Sequence, residues 1–249
     1  MYAGSVVRAS PPTDRSESGV IAPDHPDREN ARMRVVPEAR FAVILRHWPL
    51  VGVFCATCVF VFAASLYPGG TKASAESVGY DWANNTVSAL FRAKAVNGAP
   101  NPARYFAIPA VWLFCGSMGM VFAGIAGKAT SSFHGKTIRI GGIGSMVFAS
   151  LAATPWHNLM VTAALLFFMA AVFAILHRLY VERRMRLLML GLVCVSLQLT
   201  NAVMYYGHVL RGMLPVVQKA GSLACVGWLF TLYYLARTER RPTRFRSES

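Results

Sequence analysis

The sequence is short of charge. Asp, Glu, Lys and Arg make up 14% of its 249 residues, where soluble domains carry about a quarter. The shortage is uneven: most of the stretch 47–236 is apolar, and the charges sit at the ends and in connections. A soluble core could not absorb so much apolar sequence, because a surface must be made as well. No Asp or Glu falls inside any of the long apolar runs, which argues against a proton-coupled pump or a cation pathway, since these place carboxylates in the membrane. No Cys/His cluster with metal-ligand spacing is present. Cys55, Cys58, Cys115, Cys194 and Cys225 all lie in apolar stretches, where Cys acts as a small hydrophobe. The Cys55–Cys58 spacing matches a redox motif but sits within an apolar helix rather than at a strand–helix junction. The sequence calls for no cofactor and no resident metal. It also lacks a convincing internal repeat with broken helices, the mark of many transporters.

What is present is a series of apolar runs. The pattern predicts an all-α fold, a polytopic membrane bundle of six transmembrane helices. The expected spans are 48–66, 102–127, 140–154, 158–180, 187–206 and 214–235. Residues 1–42 are rich in Pro, Ser, Arg and acids without apolar periodicity and read as a disordered tail. The membrane domain is expected over 43–237, with a basic tail at 238–249. The first apolar run begins near Trp48, too late for a signal peptide, so it reads as a retained helix. Pro68-Gly69-Gly70 ends the first span, and a long polar connection follows. Asn101-Pro102 supplies a cap residue and a first-turn proline for the second span. In the third, Gly141, Ser145, Ala149 and Ala153 recur every four residues, a small-residue face that lets another helix approach.

The net charge of +14 does not point to nucleic acid. The first 46 residues nearly balance, and the excess flanks apolar segments, as membrane anchoring requires. Lys128, His134, Lys136 and Arg139 form one basic connection, and Arg183, Arg184 and Arg186 another. The connections after spans three and five hold only Arg211. Both termini are therefore expected to be cytoplasmic, and the setting a bacterial inner membrane.

Polar groups gather toward the expected outer face. Cys194, Gln198, Asn201, Tyr205 and His208 are spaced to share one helix face. With them stand His157, Gln218 and Lys219, and from the first connection Asp81, Asn85, Ser88 and Arg92. Of these, Asp81, Asn85, Ser88, Arg92, His157, Asn201, Tyr205, His208, Gln218 and Lys219 are the candidate site, an outward-facing polar pocket. Each also has a structural reading: Lys219 snorkelling to headgroups, Gln198 and Asn201 joining helices, His157 and Asp81 capping turns, and Trp156, Tyr205 and Tyr206 forming an aromatic belt.

Asn85-Thr86-Val87-Ser88-Ala89-Leu90, a span opening near Tyr105-Phe106, the ending Pro155-Trp156-His157, and Gln218-Lys219 with Trp228 resemble the bacterial membrane proteins of domain of unknown function family 998. The chain is similar, more distantly, to the eukaryotic Frag/DRAM/Sfk membrane proteins. The resemblance spans residues 45–237 and implies six helices, a polar first outer loop and a histidine opening span four. It departs after Ser88, where Ala89-Leu90-Phe91 stands in place of the family's Asp or Gly. The eukaryotic relatives imply lipid handling. Three functional readings follow: a non-catalytic protein that binds or organises membrane lipids, with Lys219 pairing a lipid phosphate; a metal-dependent lipid hydrolase using His157, His208 and Asp81 with Ser88 nearby; and a small-solute transporter.

Overall fold

The structure is a computed structural model that describes residues 26–129 and 131–238, with side chains from 46 to 236. The chain divides after Ile44. The account below concerns residues from Leu45 onward. Of the tail expected to be disordered over 1–42, residues 1–25 lie outside the described residues and 26–42 are helical; of the basic tail 238–249, residues 239–249 lie outside them. Helix α1 begins at Pro26, well before the expected span, because the Arg, Glu, Ala and Met of 28–42 are good helix formers although they carry no apolar stripe.

The order is α1 (Pro26–Ser65), a short 3-10 helix (Val87–Phe91), α2 (Arg104–Ala126), α3 (Ser132–Ser150), a 3-10 turn (Leu151–Ala153), α4 (His157–Val181), α5 (Met185–Tyr206) and α6 (Leu214–Thr238). Among the described residues there are no strands, only two isolated bridges in the first connection. Four stretches are long and apolar enough to cross a membrane: Arg46–Ser65, α2, α4 and α5. The chain is thus all-helical with the make-up of an integral membrane protein. Helices α3 and α6 are less apolar, α3 through Lys136, Arg139 and its glycines, α6 through Gln218 and Lys219.

Small residues set the helix approaches. A Cβ on Gly141 would press on the Phe167 carbonyl and Ala171 of α4 at 2.8–3.1 Å, and one on Gly142 would strike Phe122 of α2. Gly141, on the expected small-residue face, thus admits α4, and Gly142, off that face, admits α2. Gly191 of α5 lies under Trp228 of α6, whose Nε1 donates to the Leu187 carbonyl at 2.9 Å. His134, Lys136 and Arg139 lie in the first turns of α3 rather than in a connection, since the helix starts at Ser132, ahead of the expected 140.

The core is concentrated toward one end. In α4 the buried residues are Ala171, Val172, Ala174, Ile175, Leu176 and Leu179, with none before them. They pack with Val121, Phe122 and Ile125 of α2 and with Trp228, Leu229 and Tyr233 of α6. Arg178 pairs with Glu182 at 2.6 Å, and Glu182 with Arg184 at 3.2 Å, at the same end.

The first connection, residues 66–103, is folded. Leu66 and Tyr67 tighten the last turn of α1 through bonds to Ala63 and Ala64. Gly69 and Gly70 then take φ of 137° and 87°, and a Cβ on either would collide with backbone of the same connection. A small core of Tyr67, Ala89, Leu90 and Ala95 packs on Ala63, Ala64, Ala103 and Ala107. Ala89 and Leu90, the point of departure from the resembled family, are part of it.

Candidate functional site

Opposite the packed end the helices splay around a cavity of about 860 Å³, near the upper end of the range for ligand pockets. Its walls are the halves of the helices that contribute little to the core. The apolar floor includes Phe114, Met118 and Phe122 of α2, Met146 of α3, Phe168 of α4 and Leu229 of α6. Toward the connections the lining turns polar, with Asn158, Gln198, Asn201, Tyr205, Gln218 and Ser222. The folded first connection completes the rim through Lys72, Asn84, Asn85, Thr86, Ser88 and Arg92.

Seven of the ten candidate residues line this one cavity: Asn85, Ser88, Arg92, His157, Asn201, Tyr205 and Gln218. The regular spacing on α5 explains why Gln198, Asn201 and Tyr205 face the same way. Gln198 Nε2 donates to Cys225 Sγ at 3.4 Å and so bridges α5 to α6. Tyr205 donates its hydroxyl to Asn158 Oδ1 at 2.6 Å, tying α5 to α4. The buried Oδ1 of Asn201 has no hydrogen-bond partner, a state that costs free energy unless a donor arrives.

His157 bonds the Ala152 carbonyl through Nδ1 at 2.6 Å. That contact closes the turn between α3 and α4, with Nδ1 as the donor because a carbonyl only accepts. Ser88 Oγ lies 3.0 Å from Thr86 Oγ1. Gln218 Oε1 accepts from the Val87 N–H at 3.4 Å, which joins the connection to α6.

The other three candidates stand outside the lining. Lys219 is committed elsewhere: Nζ donates to the carbonyls of Asn85 (2.6 Å), Trp82 (2.9 Å) and Pro215 (3.2 Å), and lies 5.8 Å from the Tyr80 ring centroid. An ammonium has three N–H donors, so none is left for a lipid phosphate. The lysine holds the connection onto α6. Asp81 serves the same connection, accepting from the Ala83 and Asn84 amides and from Asn84 Nδ2 at 2.7 Å. The Asn84 side-chain amide first, and the Ala83 N–H next, hold its carboxyl below the usual aspartate range. Burial, aided by Tyr67 and Asp81, pushes the Tyr80 hydroxyl up; it donates to the Asn85 carbonyl at 3.1 Å. His208 leaves the α5 face because the helix ends at Tyr206, and His208 itself adopts φ 58°. Helical spacing does not extend past a helix end.

The hydrolase reading requires His157, His208 and Asp81 to converge. Among the described residues no three His, Cys, Asp or Glu side chains group closely enough to share an ion. With Asp81 engaged by its own turn and His157 by Ala152, that trio is not assembled.

No family model, curated protein or solved structure matches the chain. Its function must therefore be read from the cavity. The residues missed in the sequence are Lys72 and Arg211 at the rim and the aromatic and Met floor. The floor looks like ordinary span sequence. Arg211 did carry a signal, as the lone cation of a short connection expected to face outward, where Lys and Arg are scarce, whereas Lys72 shares its connection with Arg92 and Lys94.

Proposed function

We propose that this is a multi-pass membrane protein that binds an amphiphile, most simply a membrane lipid, in the cavity between its helices. One observation carries the reading: a cavity of about 860 Å³ with an apolar floor and a polar rim, opening at one end of a bundle whose other end is packed. That gradient suits a molecule with an acyl part and a polar head. The non-catalytic reading rests on the shape and lining of the cavity, an apolar floor under a polar rim.

We propose further that α3 and α6 also span the bilayer, making six spans. Their 19 and 25 residues correspond to about 28 and 37 Å of helix at 1.5 Å per residue, and both pack against spanning neighbours. Lys128, Lys136, Arg139, Arg183, Arg184 and Arg186 cluster at the packed end, which favours placing that end and both termini in the cytoplasm of a bacterial inner membrane. The cavity then opens outward. Kinship with the family 998 proteins is proposed on the Asn85–Leu90 and Pro155–His157 motifs alone.

The test is native mass spectrometry of the full-length chain extracted in mild detergent. Wild type is expected to carry lipid at close to one per chain. Ala164→Trp, which puts an indole into the cavity from α4, should lose it while unfolding at a similar temperature. Equal lipid on both proteins, or none on wild type, overturns the reading.

A further inference from the structure

The cavity lining carries three permanent cations, Lys72, Arg92 and Arg211, and no carboxylate. Lys72 and Arg92 come from the connection 66–103, and Arg211 from the connection 207–213. Both connections close the same end of the bundle, so the three charges share the rim while Met118, Phe122 and Leu229 form the floor. The ion pairs among the described residues lie at the opposite end, between Glu182 and Arg178 or Arg184. Asp81, an acid of the rim's own connection, is taken up by Ala83 and Asn84 and lies outside the lining.

Like charges at the mouth of a low-dielectric cavity raise the local potential and favour an anion there. Two of the three are guanidiniums, whose forked donors match phosphate oxygens. Arg92 is within electrostatic reach of the Tyr205 hydroxyl, which lies on the cavity wall. The charge therefore belongs to the cavity and not to a remote part of the loop. Asn84, Thr86 and Ser88 add neutral hydrogen-bonding groups beside it.

We propose that the cavity selects an anionic amphiphile, with its phosphate held at the rim by Lys72, Arg92 and Arg211 and its acyl part on the apolar floor. This rests on the amphiphile-binding reading above and adds to it the sign of the head. Lys219, the cation that looked most suited to a headgroup in the sequence, is a fastener of the rim. The headgroup cations are the three that stand in connections.

The test uses the full-length protein in mild detergent with phosphatidylglycerol, phosphatidylcholine and diacylglycerol supplied together. Retention is read by native mass spectrometry. Wild type should prefer phosphatidylglycerol. Each single Gln substitution should cut that preference about fivefold, and K72Q/R92Q/R211Q together on the order of 100-fold, at about 1 kcal/mol per cation near an anionic surface. Retention of phosphatidylcholine and diacylglycerol should persist in the triple variant, which shows that the cavity still folds. Arg92→Lys and Arg211→Lys should keep most of the preference. If the triple variant prefers phosphatidylglycerol as strongly as wild type, the proposal is wrong. Displacement of phosphatidylglycerol by inorganic phosphate would assign the rim to a free anion and also overturn it. Wild type holding the three lipids alike defeats only the charge selectivity, whereas wild type holding none defeats amphiphile binding itself.

Discussion

Toward one end of the bundle, α4 buries Ala171, Val172, Ile175 and Leu179, and α6 seats Trp228 and Tyr233 against its neighbours. Toward the other end, the same two helices present Ala164, Leu165, Phe168, Gln218, Ser222 and Val226 to open space. Both halves are built mainly of apolar residues, and the open half adds polar ones such as Gln218 and Ser222, so hydrophobicity alone does not explain why one half is packed. Side-chain volume and glycine placement do. Gly142 and Gly191 let Phe122 and Trp228 fill the packed half, whereas Ala149, Ala152, Ala164 and Ala202 leave the other half unfilled. In lipid, helices gain little by hiding apolar surface from water, and packing quality decides which contacts persist. The packed half therefore holds the bundle together, and the open half is free to accommodate a ligand.

Truncations on the two sides should break that symmetry most strongly. Trp228→Ala removes a ring that is 3% exposed and the bond from its Nε1 to Leu187. It should cost about 3–5 kcal/mol, seen as a large fall in the thermal unfolding midpoint in detergent. Leu165→Ala, on the cavity wall, should cost below about 1 kcal/mol, because its side chain already borders a void. Comparable losses at both positions would mean that the open half is packed as tightly as the closed one.

This contrast also marks what was legible in the sequence. Helices α2, α4, α5 and α6 fall close to the expected segments because long apolar runs bounded by Pro, Gly and Arg leave few alternatives, with α5 ending at Tyr206 and α2 beginning two residues after Pro102, whereas α1 and α3 begin well before theirs in polar sequence. The shared face of Gln198, Asn201 and Tyr205 followed from helical periodicity, and it does line the cavity. The role of Lys219 was not legible. Its three acceptors are backbone carbonyls, two of them more than 130 residues away, and carbonyls have no sequence signature. The same holds for Asn101, expected to cap α2, where Ala103 takes the cap position instead and no side chain caps it. The Oδ1 of Asn101 accepts from the Ala103 N–H at 3.2 Å, and its Nδ2 collects the carbonyls of Ala89, Leu90 and Arg92. A long polar connection looks unstructured in sequence when its order comes from such single side chains.

Those two residues offer a more local way to sharpen the comparison, since the open half owes its rim to them. Lys219→Met removes the ammonium from the Trp82 and Asn85 carbonyls, leaving Asn85 only the Tyr80 hydroxyl, and should loosen the rim by about 1–2 kcal/mol, given that bonds from charged donors contribute about 1.5–3 and water reaches part of this site. Amide hydrogen exchange over residues 80–92 should quicken while α2 and α4 keep their protection. Lys219→Arg should not restore it, because three carbonyls converging on one point suit a compact ammonium better than a planar fork. Unchanged exchange in Lys219→Met would show that the rim holds without this lysine.

The smallest expected effect concerns pH and acts on the same rim. Asp81 has its carboxyl held below the ordinary value of 3.8 by the Asn84 side chain and the Ala83 amide. A carboxyl lowered in the folded state binds its proton more weakly there than in the unfolded chain. Its contribution is therefore complete above the unfolded value and fades as pH falls through the folded one. Around neutral pH the turn at 81–84 should be intact and indifferent to pH. Below about pH 4, exchange at the Ala83 and Asn84 amides should accelerate, ahead of any change in the packed half. Asp81→Asn should show the faster exchange at neutral pH and little further change on acidification. If wild type and Asp81→Asn respond to acid alike, the turn does not depend on this carboxylate.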